Sequence, residues 1–114
     1  MICLYGIPNC NKIRNTQKIL AENNVTYEFV NVRKNPIERE KLKQIADKTG
    51  LENLFNKKGT TYKRLGLNYD KMTDSQRLEQ LVLEQSMIKR PLLEKNGQYL
   101  VGFDEEKIIK FISF

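Results

Sequence analysis

The fold is decided by residues 2–32, which read ICLYGIPNCNKIRNTQKILAENNVTYEFVNV. The mostly apolar run at 2–6 predicts a short buried strand, and apolar residues at helical spacing from Cys10 to about Asn23 predict a helix. Residues 25–32 are rich in valine and aromatic side chains, which are typical of a second strand. A connection of this length favours a right-handed crossover between two parallel strands.

The middle of the chain, residues 34–86, predicts helices. The motif NPIE at 35–38 is typical of a helix start, with Asn35 as its cap and a proline at the first helical position. A further helix is predicted to begin at Thr73, because Gln76 follows it at the spacing of a capping box. This helical segment therefore separates the two strands before it from the two strands after it.

The last part of the chain returns to strands. Asn96-Gly97 is a strong hairpin signal between the predicted strands at 91–94 and 98–101. Asp104 then caps a final helix. The side chains that we expect on the buried side of this helix are Ile108, Ile109 and Ile112.

These elements together predict an α/β fold with a four-stranded mixed sheet and helices packed on it, which is a thioredoxin-like architecture. We expect residues 1–114 to form one domain, with residues 34–86 as a helical insertion within it.

Composition narrows the chemistry. The 114 residues include 20 Lys and Arg, 14 Asp and Glu, two cysteines and no histidine. The lack of histidine excludes His-based acid–base catalysis, Cys-His dyads and the common zinc sites. Most of the net charge of +6 lies between residues 34 and 90, but no aromatic residues interleave with it, so we expect no nucleic-acid binding. No apolar run reaches the roughly 20 residues of a membrane span, and the N-terminus is unlike a signal peptide.

Cys10 is the candidate nucleophile. It lies where the first strand has ended and the first helix begins, so unpaired backbone N–H groups and the helix dipole favour its thiolate. Asn11, Lys12 and Arg14 follow within one turn, and two of them add positive charge. The alternative is that Cys10 is simply a small buried apolar residue. That structural role is the expected one for Cys3, which lies inside the apolar strand.

Two other features suit an anion. Arg90 precedes Pro91, which favours an extended backbone leading into a strand, and its planar guanidinium could bind an oxyanion. The alternative is a surface arginine. The stretch 56–64 combines a glycine, hydroxyls and four cations, which fits either an anion-binding loop or a solvated loop between helices.

The chain resembles the arsenate reductase-related (ArsC/Spx) family of thioredoxin-like proteins. The motifs that carry this resemblance appear in order over nearly the whole chain: YGIPNC at 5–10, RNT at 14–16, YKRLGL at 62–67, IKRPL at 88–92 and VGFD at 101–104. The family contains glutaredoxin-coupled arsenate reductases, Spx-type transcription regulators and YffB-like proteins, and the YffB-like members are the most similar.

The resemblance implies roles for individual residues. Cys10 falls on the family's nucleophilic cysteine, and Arg90 falls on an oxyanion-binding arginine that precedes a cis peptide bond. The arsenate reductases carry two further arginines where this chain has Asn56 and Phe103, and a histidine where it has Gly6. Each lost guanidinium removes a contact of about 1.5–3 kcal/mol to a charged oxyanion.

Two functional hypotheses follow. The first is a cytoplasmic thiol-dependent reductase, in which Cys10 attacks an oxyanion or a mixed disulfide bound by Asn11, Lys12, Arg14 and Arg90. Position 13 is isoleucine, so no Cys-x-x-Cys disulfide can form, and external glutathione or glutaredoxin would be the reductant, with no bound cofactor. The second is a non-catalytic, Spx-like regulator that binds RNA polymerase or another protein. A third possibility is true arsenate reduction, with cations of the 57–64 loop replacing the lost arginines.

Overall fold

A computed structural model describes residues 1–113. The strands are β1 (Ile2–Gly6), β2 (Tyr27–Asn31), β3 (Leu92–Lys95) and β4 (Gln98–Val101). The helices are α1 (Asn11–Glu22), α2 (Arg39–Thr49), α3 (Leu51–Leu54), α4 (Thr60–Leu65), α5 (Asp74–Leu83) and α6 (Glu105–Ile112), with 3₁₀ turns at Tyr69–Lys71 and Gln85–Met87.

The four strands form one mixed sheet in the order β2-β1-β3-β4. Strand β1 is parallel to β2 and antiparallel to β3, and β3 is antiparallel to β4. This confirms the predicted four-stranded thioredoxin-like α/β fold. The helices α2 to α5 all lie between β2 and β3 in the chain. The assignment of residues 34–86 as an insertion within a single domain stays a prediction.

Two hydrophobic cores cover the two faces of the sheet. Alternate residues of β1 point to opposite faces, so Leu4 packs with α1 and α6, while Tyr5 packs with α2, α3 and α5. In strand β3, Leu93 packs in the same core as Leu4, and Leu92 packs in the same core as Tyr5. The central strands β1 and β3 are therefore buried on both sides, and they hold the loops at their ends in fixed positions.

Helix α2 begins later than the sequence predicts. Asn35 is not its cap: the N-cap is Glu38, and the helix starts at Arg39. The physical reason is the buried side chain of Gln85. Its Oε1 accepts a hydrogen bond from the backbone N–H of Ile37 (2.7 Å), and its Nε2 donates to the Ile37 carbonyl (2.7 Å). These two bonds hold Ile37 outside the helix and outweigh the local helix-start signal.

The last helix buries a different set of residues from the one predicted. Ile108 and Ile112 are buried as predicted, but Ile109 is 36% exposed, and Phe111, at 8% exposed, takes its place on the core side. The two caps are confirmed, because Asp104 accepts a hydrogen bond from the Lys107 N–H and Thr73 with Gln76 forms a capping box. Asn96 and Gly97 have positive φ angles of 51° and 77°, as the predicted hairpin turn requires.

Within the described residues, no helix has the length and apolar character needed to cross a lipid bilayer.

Candidate active site

Cys10 lies at the junction of β1 and α1. It is the N-cap of α1, with an extended backbone (φ −107°, ψ 131°), and its carbonyl accepts the first helical hydrogen bond from the Arg14 N–H at 2.9 Å. The residue is half-buried and packs against both hydrophobic cores. No acidic residue occupies the first turn of α1. The thiol therefore meets the positive end of a 12-residue helix while part of its surface reaches solvent.

The three polar residues after Cys10 have different surroundings. Asn11, Lys12 and Arg14 are all exposed, and the Arg14 guanidinium donates a hydrogen bond to the Asn11 side chain. Lys12 lines a cavity that reaches towards the loop after α3. Of these three predicted substrate-binding residues, Lys12 lines this cavity, whereas Asn11 and Arg14 do not.

Cys3 occupies a position that is unfavourable for thiol chemistry. It is half-buried in β1 and lies directly opposite Glu94 of β3. Burial raises the pKa of the Cys3 thiol, and the neighbouring carboxylates of Glu94 and Glu28 raise it further. At about 3.3 Å per residue, Cys3 also lies about 10 Å from the end of the strand that leads to Cys10, whereas disulfides need Cα atoms closer than about 7 Å. Both cysteines are free thiols.

Arg90 lines a cavity of about 220 Å³, here called the guanidinium cavity. The peptide bond between Arg90 and Pro91 is cis, as the resemblance implied. The lining residues come from four parts of the chain: Ile7, Arg33, Asn56, Gly59, Thr60, Thr61, Tyr62, Ser86, Met87 and Arg90. Ile7 belongs to the same turn as Cys10, although Cys10 itself is not among the residues that line this cavity.

The sheet topology explains why these segments meet. The parallel strands β1 and β2 end at the same end of the sheet, and the antiparallel strand β3 begins there. Ile7 follows β1, Arg33 follows β2 and Arg90 precedes β3. Ligands of open α/β sheets bind outside the carboxyl ends of the parallel strands, which is where this cavity lies.

The guanidinium cavity carries positive charge and hydroxyl groups without acidic residues. None of its lining residues is Asp or Glu. Within residues 1–113, neither Arg33 nor Arg90 has a carboxylate oxygen within 4 Å. The hydroxyls of Thr61 and Ser86 are hydrogen-bonded to each other at 3.1 Å. The arrangement is suited to an anionic group.

Arg33 is the one cation lining the guanidinium cavity that the sequence analysis missed. It stands in a run of surface residues between a strand and a helix, where arginine is common. Its place directly after a parallel strand was the available signal, because such loops converge with the loop that carries Cys10.

The two positions at which the arsenate reductases carry arginines, Asn56 and Phe103, line different cavities in this structure. Asn56 lines the guanidinium cavity, and its side-chain oxygen accepts a hydrogen bond from the Lys58 N–H at 3.1 Å. Phe103 lines a different depression together with Asn15 and Lys18 of α1. Neither position supplies a cation, and Arg33 is the residue that adds a second guanidinium to the cavity that Arg90 lines.

A second, larger cavity of about 430 Å³ lies next to the first and shares Asn56 with it. We call it the lysine cavity, because it is lined by Lys12, Lys57, Lys58 and Lys89, with Glu52, Asn53, Phe55 and Asn56. Lys57 is 3.6 Å from Glu52 and lies over the Tyr69 ring at 4.5 Å. No carboxylate of the described residues lies within 4 Å of the other three ammonium groups.

Residues 57–64, which form a turn and most of α4, are divided between these two cavities. Lys57 and Lys58 line the lysine cavity, and residues 59–62 line the guanidinium cavity. Arg64 lies 3.9 Å from Glu84 instead. This stretch therefore contributes two lysines to one cavity and its hydroxyls to the other.

Comparison with known proteins places this geometry in a family. The model of the ArsC family matches residues 5–111. A Haemophilus influenzae protein of uncharacterized function is 31% identical over 108 residues, covering 94% of this chain and 95% of that protein. The global transcriptional regulator Spx of Streptococcus agalactiae is 26% identical over 114 residues, covering 98% and 83%. The solved structure of a YffB protein superimposes with a TM-score of 0.89 at 29% identity, covering 99% of this chain and all of the other.

Proposed function

The chain belongs to the ArsC family, and on this basis we propose that it is a cytoplasmic thiol-dependent reductase with Cys10 as its nucleophile. The observation that carries the proposal is the position of Cys10: a partly exposed thiol at the N-terminus of α1, on the turn whose Ile7 lines the carboxylate-free cavity of Arg90. Thiol–disulfide exchange requires a sulfur that an incoming disulfide can reach, and the half-buried Cys10 is partly open to solvent.

The proposed reaction has two steps. The Cys10 thiolate attacks the glutathionyl sulfur of a mixed disulfide, so that a bond from Cys10 to that sulfur forms and the old sulfur–sulfur bond breaks. The other thiol leaves as a thiolate and takes a proton from water. A second glutathione thiolate then attacks the Cys10 adduct, which releases oxidised glutathione and restores the Cys10 thiolate. In sum, a mixed disulfide and glutathione give a free thiol and oxidised glutathione.

The external reductant follows from the positions of the two cysteines. Position 13 is isoleucine, and Cys3 lies in the strand about 10 Å from the turn. The adduct on Cys10 must therefore be resolved by a thiol from another molecule, for which we propose glutathione or glutaredoxin. Arg90 and Lys12 are proposed to bind anionic groups of the substrate, while Asn11 and Arg14 keep the first turn of α1 polar and positive.

The test is mass spectrometry after exposure to oxidised glutathione, together with a glutathione-dependent turnover assay on a small mixed disulfide. We expect one glutathionyl group per molecule, located on Cys10, and turnover that Cys10→Ser abolishes. The matched control is Cys3→Ser, which should keep both adduct and turnover. An unmodified Cys10 in folded protein, or equal turnover in Cys10→Ser, would refute the proposal.

A second candidate function rests on the relatives. The regulators Spx of Streptococcus agalactiae and MgsR of Bacillus subtilis each match nearly the whole chain at 26% identity. We therefore also propose, as the alternative, a non-catalytic regulator that binds RNA polymerase. A pull-down with purified polymerase tests it. Equal retention by the wild type and Cys10→Ser, with no thiol turnover, would favour the regulator over the reductase.

A further inference from the structure

We propose that Arg33 and Arg90 together form a subsite for a single anionic group of the substrate, a carboxylate or a tetrahedral oxyanion. The inference relies on the proposed function for the identity of the substrate. The binding of the anion itself depends only on the cavity.

Arg33 is held at the cavity by the loop after β2. The side-chain oxygen of Asn31 accepts a hydrogen bond from the Arg33 N–H at 3.0 Å. The backbone carbonyl of Asn31 accepts further bonds from the N–H groups of Lys34 at 3.1 Å and Asn35 at 2.8 Å. Val32 donates to the Gly6 carbonyl at 3.0 Å, which ties this loop to the end of β1. The backbone that carries Arg33 is therefore fixed relative to the turn that carries Cys10.

Arg90 is fixed from the opposite side. The N–H of Lys89 donates to the Leu54 carbonyl at 2.8 Å, and the N–H of Gly102 donates to the Pro91 carbonyl at 2.9 Å. Arg90 thus lies between two anchored neighbours and is half-buried. The backbones that carry the two guanidinium groups are therefore anchored on both sides of the cavity, which limits how far the exposed Arg33 and the half-buried Arg90 can move apart.

The charge of the cavity selects an anion. Two guanidinium groups that share one cavity without a carboxylate repel each other, and an anion between them removes that repulsion. Arg33 also lines a smaller depression that contains Glu84, but the partner of Glu84 is Arg64, at 3.9 Å. Each guanidinium offers a planar pair of donors that matches a carboxylate or a tetrahedral oxyanion.

The size of the cavity limits the ligand to one small group. Its volume of about 220 Å³ is below the roughly 300–1,000 Å³ of pockets that enclose drug-sized molecules. The subsite therefore accommodates the anionic end of a substrate whose remainder lies outside, towards Cys10 or the lysine cavity. Glutathione carboxylates and free inorganic oxyanions share this chemistry, and the experiment separates them.

The experiment measures anion binding in the Cys10→Ser protein, so that thiol chemistry does not contribute. Phosphate is titrated into ¹⁵N-labelled protein, and the shifts of the Thr61 and Ser86 amides are followed. We expect saturable shifts, with affinity weakened about tenfold or more in Arg33→Gln and in Arg90→Gln, and less in Arg33→Lys, which keeps the charge. The control is Arg39→Gln, which removes an exposed arginine of α2 outside the cavity and should change affinity less than twofold.

A second arm identifies the natural occupant. S-methylglutathione, which has no free thiol, is titrated with and without phosphate. Competition between the two assigns the subsite to a glutathione carboxylate, and phosphate binding without competition assigns it to an inorganic oxyanion. Unchanged affinity in Arg33→Gln, or an equal loss in Arg39→Gln, would overturn the subsite. Intact anion binding beside absent thiol turnover would instead overturn the proposed function.

Discussion

Gly6 and Ile13 are in such close contact that a β-carbon at position 6 would lie 2.3 Å from Cδ1 of Ile13 and 2.9 Å from its Cγ1. Gly6 is the last residue of β1, and Ile13 is a fully buried residue in the first turn of α1. This contact sets how closely the helix approaches the strand, and it thereby positions the turn that carries Cys10. It also gives a physical reason for glycine where the arsenate reductases carry a larger residue.

The first prediction concerns this contact. Gly6→Ala should lower the free energy of unfolding by about 1–3 kcal/mol, because it overpacks a filled core. Gly6 does not have a positive φ, so the loss reports the contact and not backbone strain. Ile13→Val removes the colliding Cδ1, and the double variant should recover part of the loss. Urea denaturation followed by circular dichroism measures this, and additive effects of the two changes would refute the argument.

The second prediction concerns the buried amide of Gln85. Gln85→Leu leaves the N–H and the carbonyl of Ile37 without their partners, so we expect a loss of about 2–4 kcal/mol in the free energy of unfolding. The control is Gln44→Leu, on the exposed surface of α2, which should change stability by less than about 0.5 kcal/mol. Comparable effects of the two substitutions would show that the Gln85 bonds are unimportant.

Local signals were sufficient for most of the fold. The strand pattern of 2–6, the capping box at Thr73 and the Asn96-Gly97 turn act within a few residues, and they give the structure that they predict. The predicted start of α2 was wrong because the residue that overrides the local helix-start signal, Gln85, is 48 residues away from Ile37 in the chain. Ile109 and Phe111 were misassigned for a related reason, since spacing alone does not show which way a helix faces the sheet.

The third prediction concerns stability in acid. Burial acts to raise the pKa of Glu94, but hydrogen bonds from Tyr5 (2.6 Å), Tyr99 (3.0 Å) and Lys41 (3.2 Å) outweigh it and lower the pKa. The ionised carboxylate therefore stabilises the fold above the unfolded value of about 4.3, and this contribution is lost as the pH falls through the folded pKa.

Glu94→Gln should consequently destabilise the protein at pH 7 by about 1–2 kcal/mol and make unfolding less dependent on pH below about 4.5. Thermal melts between pH 3 and 7 measure both effects. The control Glu106→Gln alters an exposed residue of α6. If the melting temperature of Glu94→Gln changed with pH in parallel with that of the wild type throughout, the stabilising role of the Glu94 carboxylate would be contradicted.

The fourth prediction separates the two thiols. Because burial and the carboxylates of Glu94 and Glu28 raise the pKa of Cys3, a smaller fraction of Cys3 is thiolate at pH 8 than at its ordinary pKa. Iodoacetamide should therefore alkylate Cys3 more slowly than Cys10, as peptide mass spectrometry over time would show. Glu28→Gln should accelerate the reaction of Cys3 and leave that of Cys10 unchanged. Faster alkylation of Cys3 in the wild type would contradict this prediction.

The fifth prediction concerns the lysine cavity. Lys12, Lys58 and Lys89 give this region positive potential, so under the proposed function an anionic substrate is attracted to it. Raising the salt concentration from about 50 to 300 mM should slow the reaction of Cys10 with oxidised glutathione severalfold, because the charges become screened. The neutral control, 2-hydroxyethyl disulfide, should react at nearly the same rate at both salt concentrations. Equal salt dependence would refute an electrostatic role.

The candidate site was only partly predictable. Cys10 follows from its place at a strand–helix junction, and the family motif drew attention to Arg90. Arg33 did not stand out, because its importance comes from the parallel pairing of β1 and β2, which brings two distant loops together. The sequence named residues 56–64 as a possible anion-binding loop, but it could not show that residues 56–62 lie against Arg90, because that depends on how the helices return to the sheet.

The bonds between Ile37 and Gln85 also have an evolutionary consequence. They join the two ends of the helical stretch, so the chain departs from the strands and comes back at one place. We therefore expect substitutions or changes of length between these two residues to leave the thiol-bearing turn in place. Since residues 56–62 within that stretch form one wall beside Arg90, new ligand preferences can arise there while the sulfur chemistry is preserved.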